Sequence, residues 1–301
     1  CKARRYDYCS AKTHFRQAIA LLFDIDQSFV IVVNDSSKTR AAAMRGHVFM
    51  TINLLTSMAL LNLGHMEWHL NNADESINFY HQCLNYIQSF QAVMNKETLS
   101  FSNEALFCCN YIIATCLNCI GMVFLNAKLV PLVAEDNDKL VQAQGKACLK
   151  YFEASISIFE DYEEADDLAN GHASTSFTAN MATVLNNLGR VYYIIGDYEQ
   201  ALCCYQDCFD RRLLSLHQTH LDLGVCYFNV AQTMQTLRYK SEALEHYLSF
   251  LSIATPTLGH AHAYILKTVL IVADLYISEK DYDNAESVLQ GHLSSSAFIS
   301  I

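Results

Sequence analysis

Only two prolines and ten glycines interrupt 301 residues. So few breakers favour a mostly helical chain with a large buried surface. Charge is also sparse, at 17% of residues, and cations are the scarcer sign: 20 Lys and Arg against 31 Asp and Glu, a net charge of −11. With no Lys/Arg-rich run, an electrostatic surface for nucleic acid is not expected. No G-x-x-x-x-G-K-[ST] or G-x-G-x-x-G occurs, so no phosphate cradle is visible. No G-x-S-x-G occurs either, and an enzyme reading has no nucleophile–base pair to rest on. No cofactor and no metal are expected.

What the chain does have is apolar surface, at 52% of residues, and twelve cysteines. Most of those cysteines, among them Cys108, Cys109, Cys116, Cys119, Cys203, Cys204, Cys208 and Cys226, sit in apolar helical stretches, as small buried hydrophobes do. A long chain without a dense cysteine framework reads as reduced and intracellular, hence cytoplasmic. The sequon Asn34-Asp35-Ser36 stands alone. No signal peptide is visible, and the ends at Cys1 and Ile301 read as those of an excised segment. The acidic residues concentrate in Glu160–Asp167, read as a solvated helix end or linker. Ala105–Ala127 and Gly46–Met66 are uncharged and long enough to span a bilayer. Both carry the repeat pattern described next, so they read as packed helices and no membrane insertion is expected.

One spacing organises the chain. Leu185-x2-Leu188-Gly189-x2-Tyr192 is followed by Ala201-x3-Tyr205. The pattern returns 42 residues on as Tyr227-x2-Val230-Ala231-x2-Met234 with Ala243-x3-Tyr247, and again as Val269-x2-Val272-Ala273-x2-Tyr276 with Ala285-x3-Leu289. Large-small-large spacing of this kind belongs to two antiparallel helices that cross at the small residue. The helix–helix turns read Gly196-Asp197, Arg238-Tyr239-Lys240 and Glu279-Lys280-Asp281, and Gly291 fits a C-cap of the last helix.

Earlier units are less regular. Ser10 caps a helix expected over 10–33, with a break at Asn34–Ser37. Residues 38–70 read as one long helix or two, carrying Leu60-x2-Leu63-Gly64-x2-Glu67, with a turn at Asn71-Asn72 and Ser76-x3-Tyr80 beyond. Glu67 stands where an aromatic is expected, and Trp68 is placed to do some of its packing. Leu117-x2-Ile120-Gly121-x2-Phe124 opens a further unit, whose second helix is placed at Ala147-x3-Tyr151 after an interruption at Pro131 and Ala134–Asp138. The insertion reads as a loop in preference to a ligand-covering flap. Asp166–Thr178 is the most linker-like stretch. The expected organisation is a single array: a partial repeat over 1–34, repeats over 57–95 and over 114–163 with the insertion 128–146, then regular repeats over 182–217, 224–255 and 266–291.

These motifs resemble the tetratricopeptide (TPR) repeat. The 42-residue step is similar to the kinesin light chain type, which Leu185-Asn186-Asn187-Leu188 and the joint histidines His220 and His262 also match. The chain departs from that type where a proline should follow each histidine; it has Leu221 and Ala263. The first regular repeat has Thr178 in place of the histidine. The resemblance is specific over 178–289, weaker over 57–165 and faint over 1–34. It implies an all-α fold, a right-handed α-solenoid of antiparallel helix-turn-helix repeats.

Two spacings imitate metal chemistry. Cys116-x2-Cys119 is half of a zinc site with no second pair at a diagnostic distance, and reads as core cysteines. His65 and His69 share a helix face without a third ligand, and His217, His220, His260 and His262 fall in repeat joints, where capping or packing accounts for them. In stacked two-helix repeats the first helices line the concave groove. Residues offset from the core pattern there are Asn186, Asn187, Arg190 and Tyr193, then Phe228, Asn229 and Gln232, then Lys267, Leu270 and Asp274. In the early repeats they are Asn62, His65, Trp68 and His69. Asn can pair with both polar groups of an extended peptide backbone, and Arg190 can take a carboxylate. The expected function is protein–protein interaction, a scaffold or adaptor holding a peptide or helix in this groove. The rivals are a sensing segment of a larger signalling ATPase or transcriptional regulator, and a metal- or thiol-dependent enzyme.

Overall fold

The computed structural model describes residues 7, 10–22, 39–96, 103–134, 138–170 and 175–296. The expected break and sequon at 34–37, and the helix expected over 23–33, lie outside them. All described elements are helical. Residues 10–22 form α1. It is followed by α2 (Thr39–His69), α3 (Ala73–Lys96), α4 (Asn103–Val123), a π-helical turn (Phe124–Leu129), α5 (Val130–Ala134) and α6 (Asp138–Asn170). Then come α7 (Thr175–Ile195), α8 (Tyr198–Ser215), α9 (Leu221–Thr236), α10 (Lys240–Leu258), α11 (Ala263–Ser278) and α12 (Tyr282–Ser296). They divide into two compact units, residues 1–169 and 170–301, where the sequence reads as one array.

The hairpins α2/α3, α7/α8, α9/α10 and α11/α12 turn in one way. A single left-handed residue follows each first helix: Asn71 (φ 68°), Gly196 (86°), Arg238 (73°) and Lys280 (64°). The next N–H reaches back five positions, Asn72 to Glu67, Asp197 to Tyr192, Tyr239 to Met234 and Asp281 to Tyr276, each at 2.9 Å. This is the Schellman closure, which satisfies the helix's last carbonyls and reverses the chain within three residues. All four turns fall where the sequence places them.

Helices in a hairpin cross at the expected small residue. Gly64 faces Tyr80, Gly121 faces Phe152 and Gly189 faces Tyr205, each ring lying where a Cβ would stand. Ala231 and Ala273 occupy the same place later, fully or almost fully buried. Around these crossings the core closes on residues such as Ile87, Phe90 and Cys116 in the first unit and Tyr247, Phe250 and Ile265 in the second.

Four expectations are corrected. The 128–146 insertion is helical throughout its described part: α4 runs on through the π-turn into α5, and α6 starts at Asp138. The π-turn immediately precedes Pro131, and Val130 N–H reaches Leu125 O, five residues back. A widened turn lets a helix pass a residue that lacks an N–H and crowds the preceding carbonyls. In α6 the core pair is Cys148 and Phe152, both fully buried, one residue beyond the expected Ala147 and Tyr151. Tyr151 instead stacks on Phe124, ring centroids 5.5 Å apart. The linker expected over 166–178 is largely helix, since α6 reaches Asn170 and α7 starts at Thr175. The last helix runs past Gly291 to Ser296. Gly291 is not among the glycines with positive φ, so it makes no C-cap. The acidic run Glu160–Asp167 rides on the last turns of α6.

Two helical stretches, Val48–His69 and Leu106–Leu129, are long and apolar enough to cross a membrane. Each has 44% of its window buried inside the fold, as a first helix flanked by neighbours must.

Candidate functional site

In the second unit the first helices α7, α9 and α11 present one face, and the nominated residues can be located on it. Asn229 Nδ2 donates to Asn186 Oδ1 at 2.8 Å, bridging α7 to α9. Two turns further on, Tyr193 Oη meets Thr236 Oγ1 at 3.2 Å. These rungs are spaced by the same 43 residues in sequence, so they are products of the stacking. Tyr193 also packs edge-on against Tyr198, 5.2 Å between centroids. Arg190 and Gln232 are half-buried beside these rungs. The Arg190 guanidinium acts electrostatically on Tyr205, whose phenol burial pushes well above its ordinary range.

Phe228 is turned inward, packing edge-on against Tyr247, Phe250 and Tyr264 and so joining α9 to α10 and α11. On α11, Lys267, Leu270 and Asp274 are exposed. Asn187 does not belong to the face. It is 4% exposed, among core positions Leu185, Leu188 and Val191. A first helix has its own second helix on one side and adjoining hairpins on others, so its buried arc is wider than the spacing of core residues suggests.

Of the nominated residues of the first unit, His65 and Trp68 are occupied in packing. His65 Nε2 lies 3.2 Å from Cys119 Sγ, and its ring stands edge-on to Tyr80. Burial, then the neighbouring His69, holds the imidazole below its ordinary value, in the neutral form. Trp68 packs with Tyr80, Ile120 and Val123, the substitute packing expected for Glu67. Asn62 is half-buried on α2, and His69 is exposed. Glu67 itself is fully buried, paired with Lys12 of α1 and accepting from Asn72 Nδ2 at 2.8 Å. Burial raises its carboxyl, but Asn72, Lys12 and Arg16 together bring it below the ordinary range.

Cys83, Cys116, Cys119 and His65 gather around Tyr80 from three helices, which no sequence spacing reveals. Among the described residues no group of three closes on a metal-holding arrangement. The joint histidines cap helices. His220 Nδ1 accepts from Asp222 N–H at 3.2 Å, and His262 Nδ1 from Tyr264 N–H at 3.4 Å, with nearly identical backbone angles. Leu221 and Ala263 take the first helical positions after these caps. Thr178 is inside α7, so it does not stand at a helix start as His220 and His262 do.

Sequence reasoning missed three clefts. A cleft of about 710 Å³ opens at the joint between the α8 end, α9 and α10, lined by Gln218, Thr219 and Tyr227. Another of about 510 Å³ lies among α1, α2 and α3 beside Arg16 and Phe79. A third, of about 600 Å³, carries His260 and His292. None of the three is lined by a nominated groove residue. Each is lined from more than one helix, a juxtaposition that a repeat pattern along the chain does not spell out.

Residues 180–255, which include the Asn186–Asn229 rung, match the tetratricopeptide repeat family. No curated protein matches the chain by sequence. Among solved structures, BtubC (BKLC) from P. vanneervenii superposes with a TM-score of 0.56 at 11% identity, over 95% of this chain and 92% of its own. A Podosopora anserina kinesin light chain-type protein with nearly identical TPR-like repeats gives 0.51 at 14%, over 81% and 96%. At such identities the likeness is one of fold: an all-α, TPR-type solenoid with neighbours of the kinesin light chain kind.

Proposed function

We propose that the protein is a non-catalytic scaffold or adaptor, and that it holds a peptide or helix of a partner protein on the α7–α9–α11 face. The observation that supports this most is the Asn186–Asn229 rung. The bond uses one donor and one acceptor, and each amide retains further hydrogen-bonding capacity. Arg190, Tyr193 and Gln232 surround it, all part-exposed and all on helices whose packing is fixed from behind. A rigid row of amides with an aromatic and a cation suits an extended backbone that carries an acidic side chain. The intracellular, reducing compartment expected from the cysteines is part of this proposal.

The test is affinity capture with the full chain, comparing wild type with an Asn229→Ala/Arg190→Ala variant. Both residues are part-exposed, so the fold should survive, and circular dichroism checks that it does. Loss of specific partners from a folded variant supports the assignment. An unchanged partner set would move binding off this face.

A further inference from the structure

A thiol pair recurs at one place in the repeat. Cys83 on α3 stands twelve residues after the left-handed Asn71, and Cys208 on α8 stands twelve after the left-handed Gly196. Each meets a cysteine on the first helix of the next hairpin, five residues before its small crossing residue: Cys116 before Gly121, and Cys226 before Ala231. The sulfurs lie 3.3 Å apart in the first pair and 3.6 Å in the second. All four are buried free thiols. The seam between successive hairpins therefore carries a dithiol in both units.

The pairs differ in one neighbour. Four residues after Cys208 comes Arg212, 9% exposed, whose Nη1 donates to Cys226 Sγ at 3.3 Å and to Asp222 O at 3.0 Å. The same register after Cys83 holds Ile87, fully buried and apolar. A guanidinium against sulfur stabilises thiolate, the form that reacts with oxidants. The hydrogen bond from Cys208 and the charge of Arg212 both act to lower the Cys226 thiol, against burial. The same contact raises Cys208, as the contact with Cys83 raises Cys116, so what sets the two pairs apart is Arg212.

We propose that Cys208 and Cys226 form an oxidative modification site, at which a peroxide converts the pair to a disulfide that fastens α8 to α9. The Cys226 thiolate attacks one peroxide oxygen, the O–O bond breaks, and the departing hydroxide takes a proton to become water. Cys208, giving up its proton, then attacks the sulfur of the Cys226 sulfenic acid, and the expelled hydroxide leaves as a second water. Two thiols and one hydrogen peroxide give one disulfide and two waters. Closing 3.6 Å to a bond of about 2.0 Å needs only a small approach of two helices already in contact. Access for the oxidant comes from local opening of the seam. The linkage would fix α9, which carries Asn229 and Gln232, against the preceding hairpin.

The reduced full chain is exposed to hydrogen peroxide without denaturant, sampled over time, alkylated and mapped by non-reducing tandem mass spectrometry. Cys203, exposed on α8, reports that the oxidant is active. The expected result is a Cys208–Cys226 cross-link, reversed by a phosphine reductant, forming at least tenfold faster than any Cys83–Cys116 link. The linked protein should melt about 5–10 °C higher, because the bond closes a short loop in the unfolded chain. Cys226→Ser should leave Cys208 unlinked. The proposal is overturned if Cys203 oxidises while Cys208 and Cys226 remain alkylatable. It is equally overturned if Cys83–Cys116 links first, a comparison made within the wild type that depends on no variant folding.

Discussion

Replacing Gly64 by alanine sets two effects of opposite sign against each other. Gly64 is inside the 31-residue helix α2, where alanine is favoured by about 1 kcal/mol on backbone grounds alone. The added Cβ would overlap Tyr80 Cε1, and would lie 2.5 Å from Cδ1 and 2.9 Å from Cζ. Ordinary carbon contacts are about 3.5–4.0 Å, so ring and helix must separate by roughly 1 Å. Tyr80 is a rigid ring, 1% exposed and closed in by Ile120 and Val123, and cannot swing away as a flexible chain end would. Overpacking of this kind costs about 1–3 kcal/mol. In the upper half of that range, about 2–3 kcal/mol, it outweighs the helix term, leaving a net loss of about 1–2 kcal/mol, or roughly 2–8 °C in the melting of a unit this size. Gly189→Ala, with its closest ring atom at 2.8 Å, should lose less. Thermal unfolding followed by circular dichroism, wild type against each variant, measures both. A Gly64→Ala protein that melts above wild type would refute the reasoning, because helix propensity would then be the stronger effect.

Three further outcomes are expected. Arg238→Gly and Lys280→Gly should each raise stability by about 0.5–1 kcal/mol in urea unfolding, since glycine relieves a side chain held at positive φ without altering the turn's backbone bonds. His220→Ala and His262→Ala should each cost about 0.5–2 kcal/mol in the same assay, through loss of a helix cap. Glu67, held below its ordinary value of 4.5, contributes stability that is complete above that pH and disappears as pH falls through the lower folded value. The melting difference between wild type and Glu67→Gln should therefore shrink on acidification from pH 7 to pH 3; a constant difference would exclude this linkage.

The parts of the fold that could be read from sequence are those written locally. A turn residue and the small residue at a crossing lie within a few positions of the large residues that flank them, and their spacing repeats. That is why Gly196, Arg238 and Lys280, and the pairs Gly189–Tyr205 and Gly64–Tyr80, fall where expected. What escaped was either a shift of one residue or a contact between distant positions. The π-turn before Pro131 changes helical register without changing composition, and in α6 the core pair sits one residue further on, at Cys148 and Phe152. Lys12 reaches Glu67 from 55 positions away, and Cys83 reaches Cys116 from 33. Asn187 was misplaced for a third reason: periodicity gives the centre of a buried face, and its width depends on how many neighbours the helix has.

The Schellman turns close entirely through backbone atoms. Nothing in that closure specifies which side chains stand there, and the four turns carry Asn71-Asn72, Gly196-Asp197, Arg238-Tyr239 and Lys280-Asp281 on one geometry. Neighbouring turns even touch through these variable groups, Lys240 Nζ to Ser278 Oγ and Ser241 Oγ to Glu279 Oε1. In the second unit the rim formed by these turns is thus a set of fixed mounting points whose charge and size can be rewritten one hairpin at a time. Chemical identity along that rim can diverge between related chains while the scaffold beneath it keeps its shape.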